Sequence, residues 1–324
     1  MEKGTALVCG AGGFIGSHLA KRLQEEGWWV RGVDLKYPEY LPFTEVASEF
    51  VICDLRNPES CKRVLNLPFD RVYQLAADMG GAGFCFTGDN DADIMHNSAL
   101  INLNIVNLAA EVGVKKVFYS SSACIYPKQL QNGEQVPRLT EDVAYPADPD
   151  CEYGWEKLFS ERLYFSYKRN KNLDVRVARF HNIFGPEGTF TGGREKVPAA
   201  VCRKIAETTT GQIMVWGSGK QMRSFLYIDD CLDAIERLMQ SETFCGPVNI
   251  GSEEVVTINE LVRIVADIAK KDISIVNIPG PLGVSKRNSD NTLIQKELGW
   301  EPKISLRQGL EKTYKWIEKQ VSRI

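Results

Sequence analysis

Six short runs in the first 180 residues are apolar almost without interruption: 5–10 (TALVCG), 30–34 (VRGVD), 49–54 (EFVICD), 70–76 (DRVYQLA), 115–121 (KKVFYSS) and 174–180 (DVRVARF). Strands that alternate polar and apolar residues have one wet face, so unbroken apolar runs predict parallel strands covered on both faces. Between them, 14–27 and 96–113 carry the helical period. Strand and helix alternating in this way predict a doubly wound parallel α/β sheet.

After residue 180 the rhythm changes. Gly- and Pro-rich polar loops at 182–196 and 277–291 stand among isolated helices, which predicts a smaller C-terminal substrate-binding domain. The stretches 224–240 and 247–252 read as a helix and a strand returning to the first domain. The expected division is 1–180 with 224–252 as the nucleotide-binding domain, and 181–223 with 253–324 as the substrate domain.

Composition narrows the class. With 324 residues, 44% hydrophobic, the chain has core enough for roughly two domains. A net charge of −3 with interspersed signs gives no basic stripe, so a nucleic-acid partner is not expected. No apolar run reaches the roughly 18 residues of a membrane span, and the N-terminus enters a strand directly, so a cytoplasmic protein is expected. The nine cysteines are scattered, with no C-x-x-C pair, and the three histidines are dispersed. Buried free thiols are expected, and neither a disulfide framework nor a metal site is.

The turn from the first strand into the first helix reads CGAGGFIGSHL, with Gly10, Gly13 and Gly16 spaced for close backbone approach and Phe14 and Ile15 between them. Helix-terminal N–H groups there suit a pyrophosphate, the Rossmann arrangement. Asp34 ends the second strand, 18 residues beyond Gly16, where a carboxylate accepts from an adenosine ribose and repels a 2′-phosphate. NAD is therefore favoured over NADP. Asp54, closing the third strand run, is a candidate contact to the adenine edge or a turn residue.

Tyr153 and Lys157 lie four apart at the start of a predicted helix and so share a face. An ammonium beside a phenol, ordinarily of pKa about 10, is expected to favour the phenolate. Ser122 stands at the end of the fifth strand run.

With GAGGFIG, the strand-end SSS and YGWEK in this order, the chain resembles the extended short-chain dehydrogenase/reductase family along essentially its whole length, including RSFLYIDD and ELGWEPKISLRQGL. The resemblance implies that Ser122 orients the reacting oxygen, Tyr153 moves its proton, and Lys157 tunes Tyr153 and holds the nicotinamide ribose, with NAD oxidising C4 of a nucleotide-sugar. Five segments narrow the likeness to the members that invert C3 and C5 of a GDP-sugar, GDP-mannose: 76–84, 121–127, 179–189, 192–204 and 278–291. By that resemblance Cys124 is the carbon base and Lys196 the acid. A ketone at C4 acidifies both neighbouring C–H bonds, so two such groups have work to do.

The same resemblance assigns Asn182, Lys204, Arg223 and Arg287 to the pyrophosphate and its neighbours. It places Gln221 beside them, Glu195 on sugar hydroxyls and Gly80 where backbone approaches the hexose. The segment 85–97 departs from the pattern of the plant members and bears on hexose preference and lid geometry. A homodimer through two sheet-flanking helices is the family expectation. Bare alternatives are a 4-epimerase, a C5-only epimerase, an epimerase-reductase, or an NAD-binding sensor without turnover. A 4,6-dehydratase is disfavoured because Ala123 and Cys124 replace its acidic pair.

Overall fold

In the computed structural model, which describes residues 3–323, all six apolar runs are strands. They are β1 (Thr5–Cys9), β2 (Trp29–Asp34), β3 (Glu49–Ile52), β4 (Arg71–Gln74), β5 (Lys116–Ser122) and β6 (Val175–Phe180). Val248–Ile250 pairs in parallel with β6 and completes a seven-stranded sheet in the order 248–250, β6, β5, β4, β1, β2, β3. The order reverses between β1 and β4, and this places the β1 turn and the end of β5 at the same edge of the sheet.

The unbroken apolar character of the strands has the anticipated cause. Ala6 and Val8 of β1 point into one buried cluster and Leu7 and Cys9 into another, on the opposite face. The first cluster continues without a break into helices Val197–Glu207, Ile258–Ala269 and Leu306–Val321 of the C-terminal lobe, through Val201, Ile205, Leu261, Val265, Leu310 and Ile317. Apolar packing therefore runs without a break from the sheet into the C-terminal helices.

Two boundaries differ from the sequence reading. The helix expected at 96–113 begins five residues earlier, at Asp91, because Asp91 and Asp93 in its first turn suit the positive end of the helix. The segment read as a helix from 224 starts at Ile228. Met222–Ser224 pairs with Val255–Thr257 and with Lys286–Arg287, and Leu226–Tyr227 pairs with Ile183–Phe184.

A buried ion pair ties the sheet to the helix that bears Tyr153, Glu152–Lys171. Arg179 on β6 donates to both carboxylate oxygens of Glu161 at 2.9 Å, with side chains 2% and 4% exposed. Ser121 of β5 donates to the same carboxylate. Removing one partner leaves an uncompensated buried charge, so Glu161→Ala is expected to lose about 3–5 kcal/mol of stability in a urea titration. A loss below about 1 kcal/mol would mean that the pair only breaks even with its desolvation.

Candidate active site

The cofactor side is built first by the chain. The first helix, Phe14–Glu25, has Gly13 at its N-cap, with no side chain closing the cap. Gly10 has φ +87°, and a Cβ on it would come within 2.8 Å of Ala76 N; one on Gly16 would lie 2.0 Å from Gly10 O. Those glycines are needed for helix and strands to meet, while a Cβ on Gly13 would touch nothing nearer than 3.4 Å. The open space lies above Gly13, where amide N–H groups can face an anion. A cavity of about 70 Å³ opens there, lined by Gly12, Gly13, Phe14, Ser17, Lys36 and Tyr40 among others. Phe14 meets the His18 ring edge-on, and Ile15 is half-buried behind it.

Asp34 is fixed for its role by a residue that the motif spacing passes over. Gly12 N donates to Asp34 Oδ2 at 3.0 Å, and Leu35 N donates to Oδ1 at 2.7 Å. A Cβ on Gly12 would sit 2.2 Å from Lys36 O, so only glycine lets the two turns close. Burial raises the Asp34 carboxyl and these backbone donors oppose it. An acceptor held at the end of β2 beside a glycine cradle fits an NAD ribose. Asp54 does not stand free for an adenine: Arg56 grips it with both Nε and Nη2, at 2.9 and 2.7 Å, and that hydrogen bonding holds its carboxyl below the usual range.

At the reaction centre, β5 ends at Ser122, whose Oγ accepts from Cys124 N at 3.1 Å and starts a short 3-10 turn over 123–125. This turn aims Cys124 back over the sheet edge. Gly154 makes the approach possible, since a Cβ there would lie 2.2 Å from Cys124 O. Lys157 is 2% exposed, and its Nζ donates to Ser120 O at 2.8 Å and lies 5.6 Å from the Tyr153 ring centroid. The expected ease of ionising Tyr153 is not met by the protein alone. Burial, and then the neighbouring Cys124 and Cys85 thiols, push its phenol well above the ordinary value. Burial also lowers Lys157.

Cys124 has the opposite environment. Arg287 Nη1 donates to its Sγ at 3.0 Å. The neighbouring Cys151 thiol, its sulfur within 4.8 Å, and then the Arg287 charge outweigh desolvation and lower the Cys124 thiol. Lys196 is lowered by burial, against the opposing pull of Cys124 and Cys85. It is delivered by close docking of two loops: Gly81 N donates to Arg194 O at 3.1 Å, and a Cβ on Gly81 would be 2.3 Å from Glu195 O. A thiol and an amine that both give up a proton more easily than usual thus stand near Ser122 and Tyr153.

The substrate residues separate into groups. Arg223 donates to the carbonyls of Met222, Leu282, Val284 and Ser285 and to no carboxylate. Burial and the adjacent Arg287 lower it to about 10. An uncompensated guanidinium suits a diphosphate. Asn182, at φ +47°, gives Nδ2 to Ser224 O at 2.9 Å, and Lys204 gives Nζ to Met214 O at 2.8 Å. Gln221 Oε1 is buried without a partner.

Three assignments change. Arg287 is engaged at the reaction centre by Cys124, by Asp150 at 3.0 Å and by Gln131 at 2.6 Å, rather than standing open for a pyrophosphate. Glu195 accepts from Gly193 N at 2.7 Å and from Arg203, so its carboxylate braces its own loop. The space a Cβ would need at Gly80 is filled by Phe84, 2.7 Å away, so the turn itself requires that glycine. Sequence reading missed Gly12, Gln131, Asp150 and Cys151. Only the last two had a local signal, as neighbours of the Tyr153 motif.

Fold and site together define a dinucleotide-dependent enzyme of nucleotide-sugars, and the chain belongs to the NAD dependent epimerase/dehydratase family, which matches residues 6–251. It is similar to GDP-mannose 3,5-epimerase 1 of Oryza sativa subsp. indica, 47% identical over 324 residues, covering 99% of this chain and 84% of the relative. GDP-mannose 3,5-epimerase of Arabidopsis thaliana is 46% identical over 316 residues, covering 98% and 82%. Among solved structures, UDP-glucose 4-epimerase of Thermotoga maritima with UDP-glucose superposes with a TM-score of 0.86 at 27% identity, covering 98% of this chain and 99% of that one.

Asp34→Ala is expected to remove the ribose acceptor, so that the purified protein carries at least about tenfold less NAD after gel filtration. Undiminished NAD content would place the ribose elsewhere.

Proposed function

We propose that this protein epimerises GDP-D-mannose at C3 and C5, giving GDP-L-galactose, with GDP-L-gulose when only C5 is inverted. The observation that carries the reading is a Cys124 thiol that takes a hydrogen bond from Arg287 at 3.0 Å beside Ser122 and is lowered, with a half-buried Lys196 close enough for the two charges to favour each other. A plain 4-epimerase moves no carbon-bound proton and needs no such pair. The relatives at 46–47% identity that bear the name GDP-mannose 3,5-epimerase support the same substrate.

Gly10, Gly12, Gly13, Gly16 and Asp34 would hold NAD, which when bound would supply reversible hydride transfer at C4. Tyr153 takes the C4 hydroxyl proton as the ketone forms, Ser122 holds the oxygen, and Lys157 balances the phenolate. The cost of ionising a buried Tyr153 explains why that step waits for a positive charge nearby. With the ketone in place, the Cys124 thiolate removes the proton at C5 or C3, and the Lys196 ammonium delivers one to the opposite face of the enolate. Arg223 holds the diphosphate, with Asn182, Lys204 and Gln221 close to it.

Incubation with GDP-mannose in D₂O tests this directly: deuterium is expected at C5, and at C3 of the galactose-type product, by NMR and mass spectrometry. Cys124→Ser is expected to slow epimerisation and exchange by at least about 100-fold while C4 oxidation still produces reduced nicotinamide absorbance. Absence of that absorbance in a folded variant would join the two steps in one group.

The proposal extends to a cytoplasmic homodimer. Helices Asp91–Val112 and Glu152–Lys171 lie side by side and leave Leu103, Trp155 and Phe159 exposed at 42, 39 and 47%. Such apolar groups on neighbouring helices suit a symmetric contact. Phe159→Asp is expected to yield a monomer in light scattering; an unchanged mass would move the contact to another face.

A further inference from the structure

Cys151 occupies the N-cap position of the helix that carries Tyr153 and Lys157, yet its side chain does not cap the helix amides. Its thiol lies instead with Cys124 and Asp150, the two Sγ atoms and a carboxylate oxygen all within 4.8 Å of one another. Such a trio has the donor set of a soft-metal site, but the Arg287 guanidinium already stands 3.0 Å from both Cys124 Sγ and Asp150 Oδ2. Arg287 compensates Asp150 from within the chain, so one thiolate leaves the cluster a single net negative charge.

Two thiols this close do not both ionise, because the second negative charge would face the first at low dielectric. The geometry decides which one does. Arg287 donates to Cys124 and makes no bond to Cys151. The thiolate therefore belongs to Cys124, and the remaining proton to Cys151. The Asp150 and Arg287 side chains are each only 6% exposed. A thiolate in such surroundings with one guanidinium donor is under-solvated and needs a second donor.

We propose that Cys151 is a positioning residue for Cys124: it stays protonated and gives its S–H to the Cys124 thiolate, so that the pair shares one proton and one negative charge. The proposal rests on the reading of Cys124 as the carbon base. Hydrogen bonding between the thiols pushes Cys151 up and Cys124 down. Other charged and titratable groups also face Cys124. Arg287 and Arg223 come from the C-terminal lobe, and Lys196 stands ahead of helix Val197–Glu207. Asp150 precedes the Tyr153 helix, Tyr153 and Lys157 lie within it, and Cys85 belongs to the short turn at 82–85. Of the groups around Cys124 Sγ, Cys151, Arg287 and the Ser122 hydroxyl can offer it a hydrogen, and Ser122 contributes least. One competing acceptor exists, since Asp150 Oδ1 is buried without a partner.

The test is the pH dependence of iodoacetamide labelling of Cys124, followed peptide by peptide by mass spectrometry on the NAD-loaded protein without sugar. Cys151→Ala is expected to raise the midpoint of labelling by about one pH unit, slowing labelling about tenfold below it. Cys151→Val, which keeps the volume but has no donor, should do the same, and it carries the test should Cys151→Ala not fold. Cys151→Ser, which restores a donor, is expected to bring the midpoint back toward the wild-type value. An unchanged midpoint in either donor-free variant would overturn the proposal and assign the S–H to Asp150. Equal midpoints for Cys151→Ser and Cys151→Ala would also overturn it, leaving a packing effect. Since labelling needs no substrate, this outcome is independent of the D₂O experiment. If both readings hold, the acid limb of C5 exchange moves with the labelling midpoint and KM for the sugar does not.

Discussion

The contact on which the chemistry depends is that of one buried guanidinium, Arg287, with Asp150 and Cys124. It originates in the two-residue strand Lys286–Arg287 of the C-terminal lobe and ends at the tip of β5 and the loop ahead of the Tyr153 helix. A desolvated cation is stable only when paired, and Asp150 supplies the pairing. Gln131 takes the third direction of the fork. Because the carboxylate keeps Arg287 charged, the thiol at its other end sits in a positive field and ionises easily. One interaction therefore joins the lobes and prepares the base. In register with it, Arg223 has only carbonyl partners, so positive charge remains for a diphosphate.

The two halves of the site are made by different means. The cofactor half relies on backbone closeness: Gly10, Gly12 and Gly16 each stand where a Cβ would collide with another turn or strand. Its geometry is local, within about one strand–helix–strand unit, and rigid. The reacting half is made of residues that are far apart in sequence. Lys196 arrives because Gly81 admits the carbonyl of Glu195, and Cys124 because Gly154 admits its own carbonyl. Side chains that sequence reading had aimed at the sugar, Glu195 and the contact at Gly80, turn out to support these loop positions.

The pKa directions fit this division of labour. Tyr153 is raised and Cys124 lowered although they are neighbours, because burial dominates at the phenol, while at the thiol the neighbouring Cys151 and then Arg287 outweigh it. A phenol that resists ionisation until a cation is close and a thiol that ionises more easily than usual can act in sequence without competing for one proton.

The strands were legible in the sequence because burial on both faces of a parallel sheet leaves an unbroken apolar record, and all six runs are strands. The glycine turn, Asp34, and the Ser122, Tyr153 and Lys157 set were legible because each obeys a spacing imposed by a single turn or helix. Resemblance, not spacing, pointed to Cys124 and Lys196. What the linear chain does not record is which charged side chain meets which partner across the cleft. Arg287 and Asp150 are 137 residues apart, and no periodicity links them. Arg287 therefore read as a phosphate ligand, Asp54 as an adenine contact or a turn residue without the arginine that grips it, and Cys151 as one more buried thiol. The sequence determined the sheet and the local motifs, since these arise from nearest-neighbour geometry. Only the tertiary structure decided the charge of the reaction centre, since electrostatic pairing depends on distance in space and on desolvation that no single segment carries.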